Sequence, residues 1–159
     1  MHAATAAANH GVEEGLAAFA AMCPFLSPEE AALLRPYLSV REWAAGEVVM
    51  RDGEAGDFLG FLAHGRLAVR KETIFPGKHV LVAFLEPGAL VGEVAGVTRG
   101  PRNTTVAAIE DSRLFVFATN DLDRLLMESP TLGITLLKRI ITVLGTRLHC
   151  ATDRLAKLL

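Results

Sequence analysis

The chain has 159 residues, of which 51% are apolar and 21% are charged, and its formal net charge is -2. This composition predicts one globular domain with a sizeable core and excludes a disordered chain. The slightly acidic balance leaves no basic field that could hold nucleic acid without sequence preference.

The sequence predicts neither a transmembrane helix nor a secretion signal. No run reaches about 18 apolar residues, and Glu13 and Glu14 precede the first apolar stretch, where a signal carries Lys or Arg. We therefore expect a cytoplasmic protein with free thiols at Cys23 and Cys150, which are too few for a cysteine-ligated iron–sulfur cluster. Residues 1–11, rich in alanine, are predicted to be a mobile tail before a single domain that spans residues 12–159.

Two short helices are predicted before the first strand. Residues 12–22 show an apolar face with helical period. A second helix is predicted to begin at Pro28, because Ser27 is a favourable cap and Glu30 completes a capping box with it. Pro36 is expected to kink or end this helix.

From residue 40 to residue 118 the pattern changes to short apolar segments separated by glycine turns. Eight segments are predicted to be strands: residues 40–43, 48–51, 58–63, 66–71, 79–85, 90–91, 103–108 and 113–118. Their length and spacing predict a mainly β fold, an eight-stranded antiparallel sandwich or jelly roll, rather than a parallel sheet. Residues 73–77 are expected to form a long hairpin loop between the middle strands.

After the last strand the period becomes helical, and a helix capped by Thr119 or Asn120 is predicted to end before Pro130. A long last helix is predicted to follow. Its apolar side chains recur at alternate steps of four and three residues: Leu137, Ile141, Leu144, Leu148, Ala151, Leu155 and Leu158. This heptad seam favours a homodimer through residues 131–159 over an amphipathic helix that faces its own core. Gly145 weakens both interpretations.

The stretch from residue 91 to residue 106 carries opposite charges at Glu93 and Arg102, with small and turn-forming residues between them. Arg102 supplies a planar fork of donors that matches the oxygens of a phosphate, and a short helix opening at Glu93 would aim free N–H groups at the same charge. The Glu93 carboxylate can accept a hydrogen bond from a neutral hydroxyl, such as that of a ribose. The residues also allow a plain surface ion pair on a turn, worth at most ~1 kcal/mol.

This stretch resembles the phosphate-binding cassette of the cyclic nucleotide-binding domain family, whose usual form is Phe-Gly-Glu-Leu-Ala, a short spacer, and Pro-Arg-Ser/Ala-Ala-Thr/Ser. Six residues match in place: Gly92, Glu93, Ala95, Pro101, Arg102 and Thr105. Three depart from the pattern, since Val91 replaces an aromatic residue, Gly96 a leucine and Thr104 an alanine. Thr104 is expected beside the phosphate, where its side chain either crowds the ligand or adds a donor.

The resemblance implies a regulatory sensor that binds a 3′,5′-cyclic nucleotide inside the jelly roll and transmits the binding through its C-terminal helix. Arg102 would clamp the phosphate with the help of backbone N–H groups, Glu93 would take the ribose 2′-hydroxyl, and the last helix would cover the base. Gly65 and residues 81–83 would line the cavity. The ligand-binding residues expected on this basis are Gly92, Glu93, Val94, Ala95, Arg102, Asn103, Thr104 and Thr152.

Thr152 is carried over from the catabolite-activator branch of the family, in which a Thr-Ser pair on the last helix reads adenine. The segment from Arg147 to Thr152 matches that pattern only at Thr152. This match favours cyclic AMP over cyclic GMP, and the alternative is a threonine that faces solvent.

Two other classes of protein stay open. One is a degenerate scaffold of the same fold, which dimerises without binding a nucleotide. The other, less favoured, is a cupin-like metalloprotein, because the five histidines, at positions 2, 10, 64, 79 and 149, lack the spacing of metal ligands.

No pattern indicates catalysis, since we find no glycine-flanked serine, paired carboxylates or activated cysteine. We therefore predict a non-enzyme that needs no metal and no cofactor apart from the nucleotide ligand. The helix-turn-helix region, inhibitory segment and membrane pore of other family members have no counterpart in the sequence. The chain is expected to act as a stand-alone sensor or as a fragment, through an unidentified effector protein and without nucleic acid or membrane contact.

Overall fold

The computed structural model describes residues 15–158, so the predicted tail and the start of the first helix lie outside the described residues. Within this range the helices are α1 (residues 15–22), α2 (Pro28–Leu33), α3 (Glu93–Thr98), α4 (Thr119–Glu128) and α5 (Pro130–Ala156), with a 3-10 turn at Arg35–Tyr37. The strands are β1 (Ser39–Trp43), β2 (Val48–Met50), β3 (Phe58–His64), β4 (Leu67–Glu72), β5 (His79–Leu85), β6 (Leu90–Val91), β7 (Thr105–Ala108) and β8 (Ser112–Ala118). Every predicted strand is present, with its ends shifted by two residues or fewer.

The strands form two four-stranded sheets, in the orders β1-β8-β3-β6 and β2-β7-β4-β5, and all their pairings are antiparallel. The predicted eight-stranded antiparallel jelly roll is therefore confirmed. Because β6 pairs with β3 at the edge of its sheet, the helix that follows β6 is brought against β3. This pairing places α3 at the mouth of the roll.

Alternate side chains of β8 enter two different cores. Leu114 and Val116 join the cluster inside the roll, whereas Phe115 and Phe117 join the cluster under the helices. Phe19 of α1 packs edge-on against Phe115, with 5.3 Å between the ring centroids. Since successive strand residues point to opposite faces, a strand buried on both faces must be apolar at consecutive positions, as β8 is.

The predicted boundaries of α2 are confirmed. The Glu30 amide donates to Ser27 Oγ at 3.1 Å, and the Ser27 amide donates to Glu30 Oε2 at 2.8 Å, which completes the capping box. The helix ends at Leu33, and Pro36 lies in the 3-10 turn that follows.

The predicted cap of α4 is wrong. The N-cap residue is Ala118, whose side chain cannot accept a hydrogen bond. The Thr119 hydroxyl donates instead to the Gly56 carbonyl at 3.3 Å, and Asn120 Oδ1 accepts from Arg99 at 3.0 Å. Partners distant in sequence thus occupy both side chains that were assigned to the cap.

The long helix α5 is anchored by its first half. Its buried residues are Leu132, Gly133, Leu136 and Ile140, and no described residue after Ile140 is buried. The heptad seam packs partly on the core at Leu137 and Leu144. Elsewhere the seam is exposed, by 68% at Ile141 and 71% at Leu148. The alternative prediction, that the seam faces the core of its own chain, is therefore wrong at those two positions. We call residues 145–156 the second half of α5.

Candidate functional site

The cassette begins where β6 ends, at Gly92. This residue has φ +70°, a left-handed conformation that glycine adopts without a steric penalty. A Cβ there would also lie 2.5 Å from Arg102 Nη1. Because the side chain is missing, Arg102 Nη1 can donate to the Gly92 carbonyl at 3.0 Å. Gly92 therefore sets both the turn into α3 and the position of the guanidinium.

Gly96 serves packing rather than ligand contact. A Cβ on it would lie 2.9 Å from Leu59 Cβ, Leu59 N and the Phe58 carbonyl carbon. The absence of a side chain lets α3 lie directly on the backbone of β3. This departure from the family's leucine therefore concerns how α3 docks, because Gly96 does not line the cavity.

Arg102 is buried, with 3% of its surface exposed. Its Cζ atom lies 4.7 Å from the centroid of the Phe58 ring. Its Nη2 donates to Asp57 Oδ1 at 3.2 Å. Burial lowers the pKa of Arg102, and the carboxylates of Asp57 and Glu93 oppose that effect. The Asp57 side chain is 67% exposed, so water weakens its compensation of the buried positive charge.

Glu93 is buried to 6% exposure, and its partner comes from α5 rather than from the cassette. Arg147 Nη1 donates to Glu93 Oε1 at 2.6 Å, and Nη2 of the same side chain donates to the Leu90 carbonyl. Glu93 and Arg102 are thus buried groups with separate partners, and a plain surface ion pair between them is wrong. Sequence reasoning missed Asp57 and Arg147, although Arg147 opens the helix segment that was compared with the catabolite-activator branch.

These side chains border a cavity of about 550 Å³ inside the roll. Residues 92–95 and 102–104 line it on the cassette side, and apolar strand residues such as Val69 and Val106 form its walls. Leu144, Leu148 and Arg154 line it from α5. Both the volume and the mixture of apolar walls with a few converging polar groups are typical of small-molecule sites. Seven of the eight predicted ligand-binding residues lie around this cavity.

Three predicted positions lie outside the cavity wall. Thr152 does not line it, and its hydroxyl donates to the Leu148 carbonyl of its own helix at 2.6 Å. Leu81 is absent from the wall, although its neighbours Val82 and Ala83 belong to it. Gly65 lies instead against Asp111 and Ser112, at the opposite end of β3 from Phe58.

A second depression, of about 560 Å³, is bordered by Trp43, His64 and Asp111. Two of its charged residues, Arg113 and Glu42, pair with each other at 2.6 Å. The carboxylate of Asp111 accepts a hydrogen bond from the Ala45 amide at 2.8 Å. Over residues 15–158, no three His, Cys, Asp or Glu side chains come together so as to hold a metal ion. None of the helices in the same range is long and apolar enough to cross a bilayer.

The site thus combines a jelly roll, a buried guanidinium and a buried carboxylate on one cavity wall, and a long helix beside it. The sequence profile of the cyclic nucleotide-binding domain matches residues 40–129 of this chain. The chain belongs to the cyclic nucleotide-binding domain family.

Two proteins of similar sequence support this assignment. The cyclic AMP receptor protein of Thermus thermophilus is 30% identical over 105 residues, which are 66% of this chain and 48% of that protein. The cAMP-dependent protein kinase regulatory subunit of Mycosarcoma maydis is 33% identical over 112 residues, 69% of this chain and 21% of that protein. The chain thus spans about half the length of the first relative and about a fifth of the second.

The fold itself has a near match among solved structures. A cyclic nucleotide-binding domain from Methylobacillus flagellatus superposes with a TM-score of 0.86. The match covers 93% of this chain and 86% of that one at 21% sequence identity, and it supports the fold alone.

Proposed function

We propose that the chain is a regulatory sensor domain that binds a 3′,5′-cyclic nucleotide in the cavity and transmits the binding through α5. The observation that carries this proposal is that two buried charged residues, Arg102 and Glu93, line one cavity of about 550 Å³. The proposal describes a cytoplasmic non-enzyme without metal, whose binding partners are the nucleotide, a second copy of the chain and an effector protein.

Arg102 holds the phosphate in this proposal. Its guanidinium is desolvated and is compensated only by a largely exposed Asp57, so a phosphate would supply the negative charge where water screens it least. The helix α3 has six residues, too few for a strong macrodipole. The guanidinium rather than the helix must therefore provide most of the attraction.

Thr104 adds a donor to the same end of the cavity. Its side chain is half-buried on the cavity wall, and its hydroxyl makes no hydrogen bond within residues 15–158. Asn103, which lines the cavity beside it, likewise has a side chain without such a bond in that range. Of the two outcomes expected for Thr104, an added donor fits this geometry better than crowding of the ligand.

Glu93 accepts the hydrogen bond of the ribose 2′-hydroxyl. Its Oε1 already accepts from Arg147, which leaves Oε2 for the sugar. The Arg147 charge also offsets the repulsion between Glu93 and a bound phosphate. Arg102 and Arg147 thus bring two guanidiniums to the wall of the cavity, where Glu93 supplies one carboxylate.

Arg147 provides the route from the ligand to the last helix. It joins Glu93 and the Leu90 carbonyl to the second half of α5, which contains no buried residue. A ligand that contacts both Glu93 and α5 changes the free energy with which this half docks, and so shifts its position. The exposed seam then offers residues such as Leu148 and Leu155 to a second copy, as a homodimer.

Cyclic AMP is the ligand we expect, with cyclic GMP as the comparison. The names of both sequence relatives refer to cyclic AMP, and Thr152 is the sequence feature that favours adenine. Since Thr152 lies outside the cavity wall, a contact with the base requires movement of α5 or a second copy of the chain.

Titration calorimetry of the purified chain with cyclic AMP and cyclic GMP tests the proposal, with 5′-AMP as the control that lacks the cyclised phosphate. Thermal unfolding supplies an independent measure, because a ligand at 100 times its dissociation constant adds ~2.7 kcal/mol to the free energy of unfolding. If neither cyclic nucleotide gives a binding heat or a thermal shift, the sensor hypothesis is refuted. The non-binding scaffold of the same fold then remains. Sedimentation of wild type and L155E tests the dimer separately from ligand binding, because Leu155 is exposed on the seam and does not line the cavity.

A further inference from the structure

Lys71 of β4 makes two short contacts beside the end of the cassette. Its Nζ donates to Asp52 Oδ2 at 2.6 Å and to the Asn103 carbonyl at 2.7 Å. The Asp52 amide in turn donates to Thr105 Oγ1 at 3.1 Å. Three segments are therefore tied together: the loop after β2, the strand β4, and the part of the cassette that directly follows Arg102 in the chain.

The bond from Lys71 to the main chain differs in kind from its ion pair with Asp52. The two side chains of that pair are 47% and 31% exposed, and a pair so open to water contributes little to stability. The bond to the Asn103 carbonyl instead fixes the orientation of a peptide plane. Lys71 does not line the cavity, whereas Asn103 and Thr104 do. The carbonyl is thus drawn toward a group outside the cavity wall.

The orientation of this carbonyl determines the direction of the next amide. In a planar trans peptide, the carbonyl of one residue and the N–H of the next point in opposite directions. The described residues contain no cis peptide bond, so the Thr104 N–H points away from Lys71. This N–H donates no hydrogen bond within residues 15–158. A half-buried backbone donor is therefore left without a protein partner on a residue that lines the cavity.

We propose that Lys71 is a positioning residue of the phosphate site, an inference that rests on the proposed function. By holding the Asn103 carbonyl outward, Lys71 directs the Thr104 N–H at one exocyclic oxygen of the bound phosphate. A hydrogen bond to a charged oxygen is stronger than one between neutral groups, so a fixed donor there raises affinity. Asp52 keeps the ammonium in place and balances its charge. Lys71 therefore acts on the ligand without touching it.

Titration of wild type and K71M with cyclic AMP and the two diastereomers of its phosphorothioate tests this inference. In each diastereomer a sulfur, the weaker acceptor, replaces one exocyclic oxygen. The matched control K78M removes the same charge from the same hairpin, where the ammonium lies over the Phe75 ring and outside the cavity wall. We expect K71M to weaken cyclic AMP binding roughly 3- to 30-fold, less than outright loss of a hydrogen bond to a charged oxygen. The affinity ratio of the diastereomers should change roughly threefold or more, because only one places sulfur at the Thr104 N–H.

A second variant, D52A, separates orientation from charge. It removes a negative charge near the phosphate site, so charge alone predicts tighter binding of cyclic AMP. Loss of the anchor for Lys71 predicts weaker binding and the same change in the diastereomer ratio as in K71M. If K71M does not fold, D52A provides the test by itself.

The possible results separate the inference from the function on which it rests. A changed diastereomer ratio in K71M and D52A, with the wild-type ratio in K78M, supports the role of Lys71. Equal losses for both diastereomers, losses that K78M reproduces, or tighter binding by D52A overturn the inference and leave Arg102 as the phosphate group's partner. Unchanged binding in K71M does the same. If the wild type does not bind cyclic AMP, the proposed function fails and the inference fails with it.

Discussion

The cassette and the second half of α5 face each other across one cavity, yet they are held in opposite ways. In the cassette, Glu93 and Arg102 are buried, and Gly96 lets α3 pack directly on the backbone of β3. The second half of α5 has no buried residue, and its ion pair with the cassette is made by Arg147, whose side chain is 40% exposed. The difference indicates a fixed wall that recognises the ligand and a cover of low local stability that can respond to it.

The same contrast separates the free energy of ligand binding from the free energy with which the second half of α5 docks. Groups on the fixed wall are already desolvated and oriented, so their contribution appears mainly in ligand affinity. Contacts of the cover involve side chains that are largely open to solvent, and such contacts contribute little free energy when isolated. The docked and undocked positions of the cover therefore differ little in free energy, and a ligand can shift the balance between them. Mutations in the two regions should therefore change different observables.

The largest effect is expected from R102A, a change in the fixed wall. Removing the guanidinium leaves a bound phosphate unpaired in a desolvated site, which costs about 2–5 kcal/mol of binding free energy. Titration calorimetry with cyclic AMP measures it, and R51A is the control because its side chain is 63% exposed on a loop outside the cavity. Affinities of R102A and R51A within twofold of each other would contradict the assignment of the phosphate site.

A smaller loss of affinity is expected from E93Q, with a second effect on the cover. The change removes a charged acceptor for the ribose hydroxyl, at a cost of about 1.5–3 kcal/mol of binding. It also weakens the bond from Arg147, so amides of the second half of α5 should exchange faster in the ligand-free protein. R102A leaves that bond in place and should not alter this exchange. If Glu93 couples the cassette to the second half of α5, exchange must become faster in E93Q and stay unchanged in R102A.

Matched alanine substitutions at two glycines compare the packing of the regions directly. G96A places a Cβ 2.9 Å from the backbone of β3, and overpacking of this kind costs about 1–3 kcal/mol of unfolding free energy. G145A meets nothing within 4 Å, so it should stabilise α5 by about 0.5–1 kcal/mol through helix propensity. Urea unfolding monitored by circular dichroism measures both. The contrast between the regions is lost if both variants change stability in the same direction.

The parts that the sequence predicted are those encoded by near neighbours. The capping box joins residues three apart, a glycine lies in each connection between consecutive strands from β1 to β6, and the cassette brings Glu93 and Arg102 to one wall within ten residues. The missed contacts join residues far apart in sequence: Arg102 to Asp57 over 45 positions and Arg147 to Glu93 over 54. The wrong cap of α4 has the same cause, because distant partners took Thr119 and Asn120.

The two cysteines compare the core under the helices with the second half of α5. Cys23 lies in the core under the helices, where burial raises the pKa of its thiol from 9.0 to about 12 and the charge of Arg139 opposes that effect. Cys150 is exposed on the second half of α5 and lines the cavity. Since the thiolate is the reactive form, iodoacetamide at pH 8 should modify Cys150 and leave Cys23 intact until the chain unfolds.

The raised pKa of Cys23 also fixes the sign of a pH dependence. The folded state keeps this proton more tightly than the unfolded state, so the stabilisation is complete below pH 9 and is lost as the pH rises toward 12. C23A should flatten this part of the stability curve, measured by urea unfolding at a series of pH values. Nucleotide in the cavity should slow the alkylation of Cys150 under native conditions, because that thiol lines the cavity. An unchanged rate at Cys150 with saturating nucleotide would contradict the placement of the ligand beside the second half of α5.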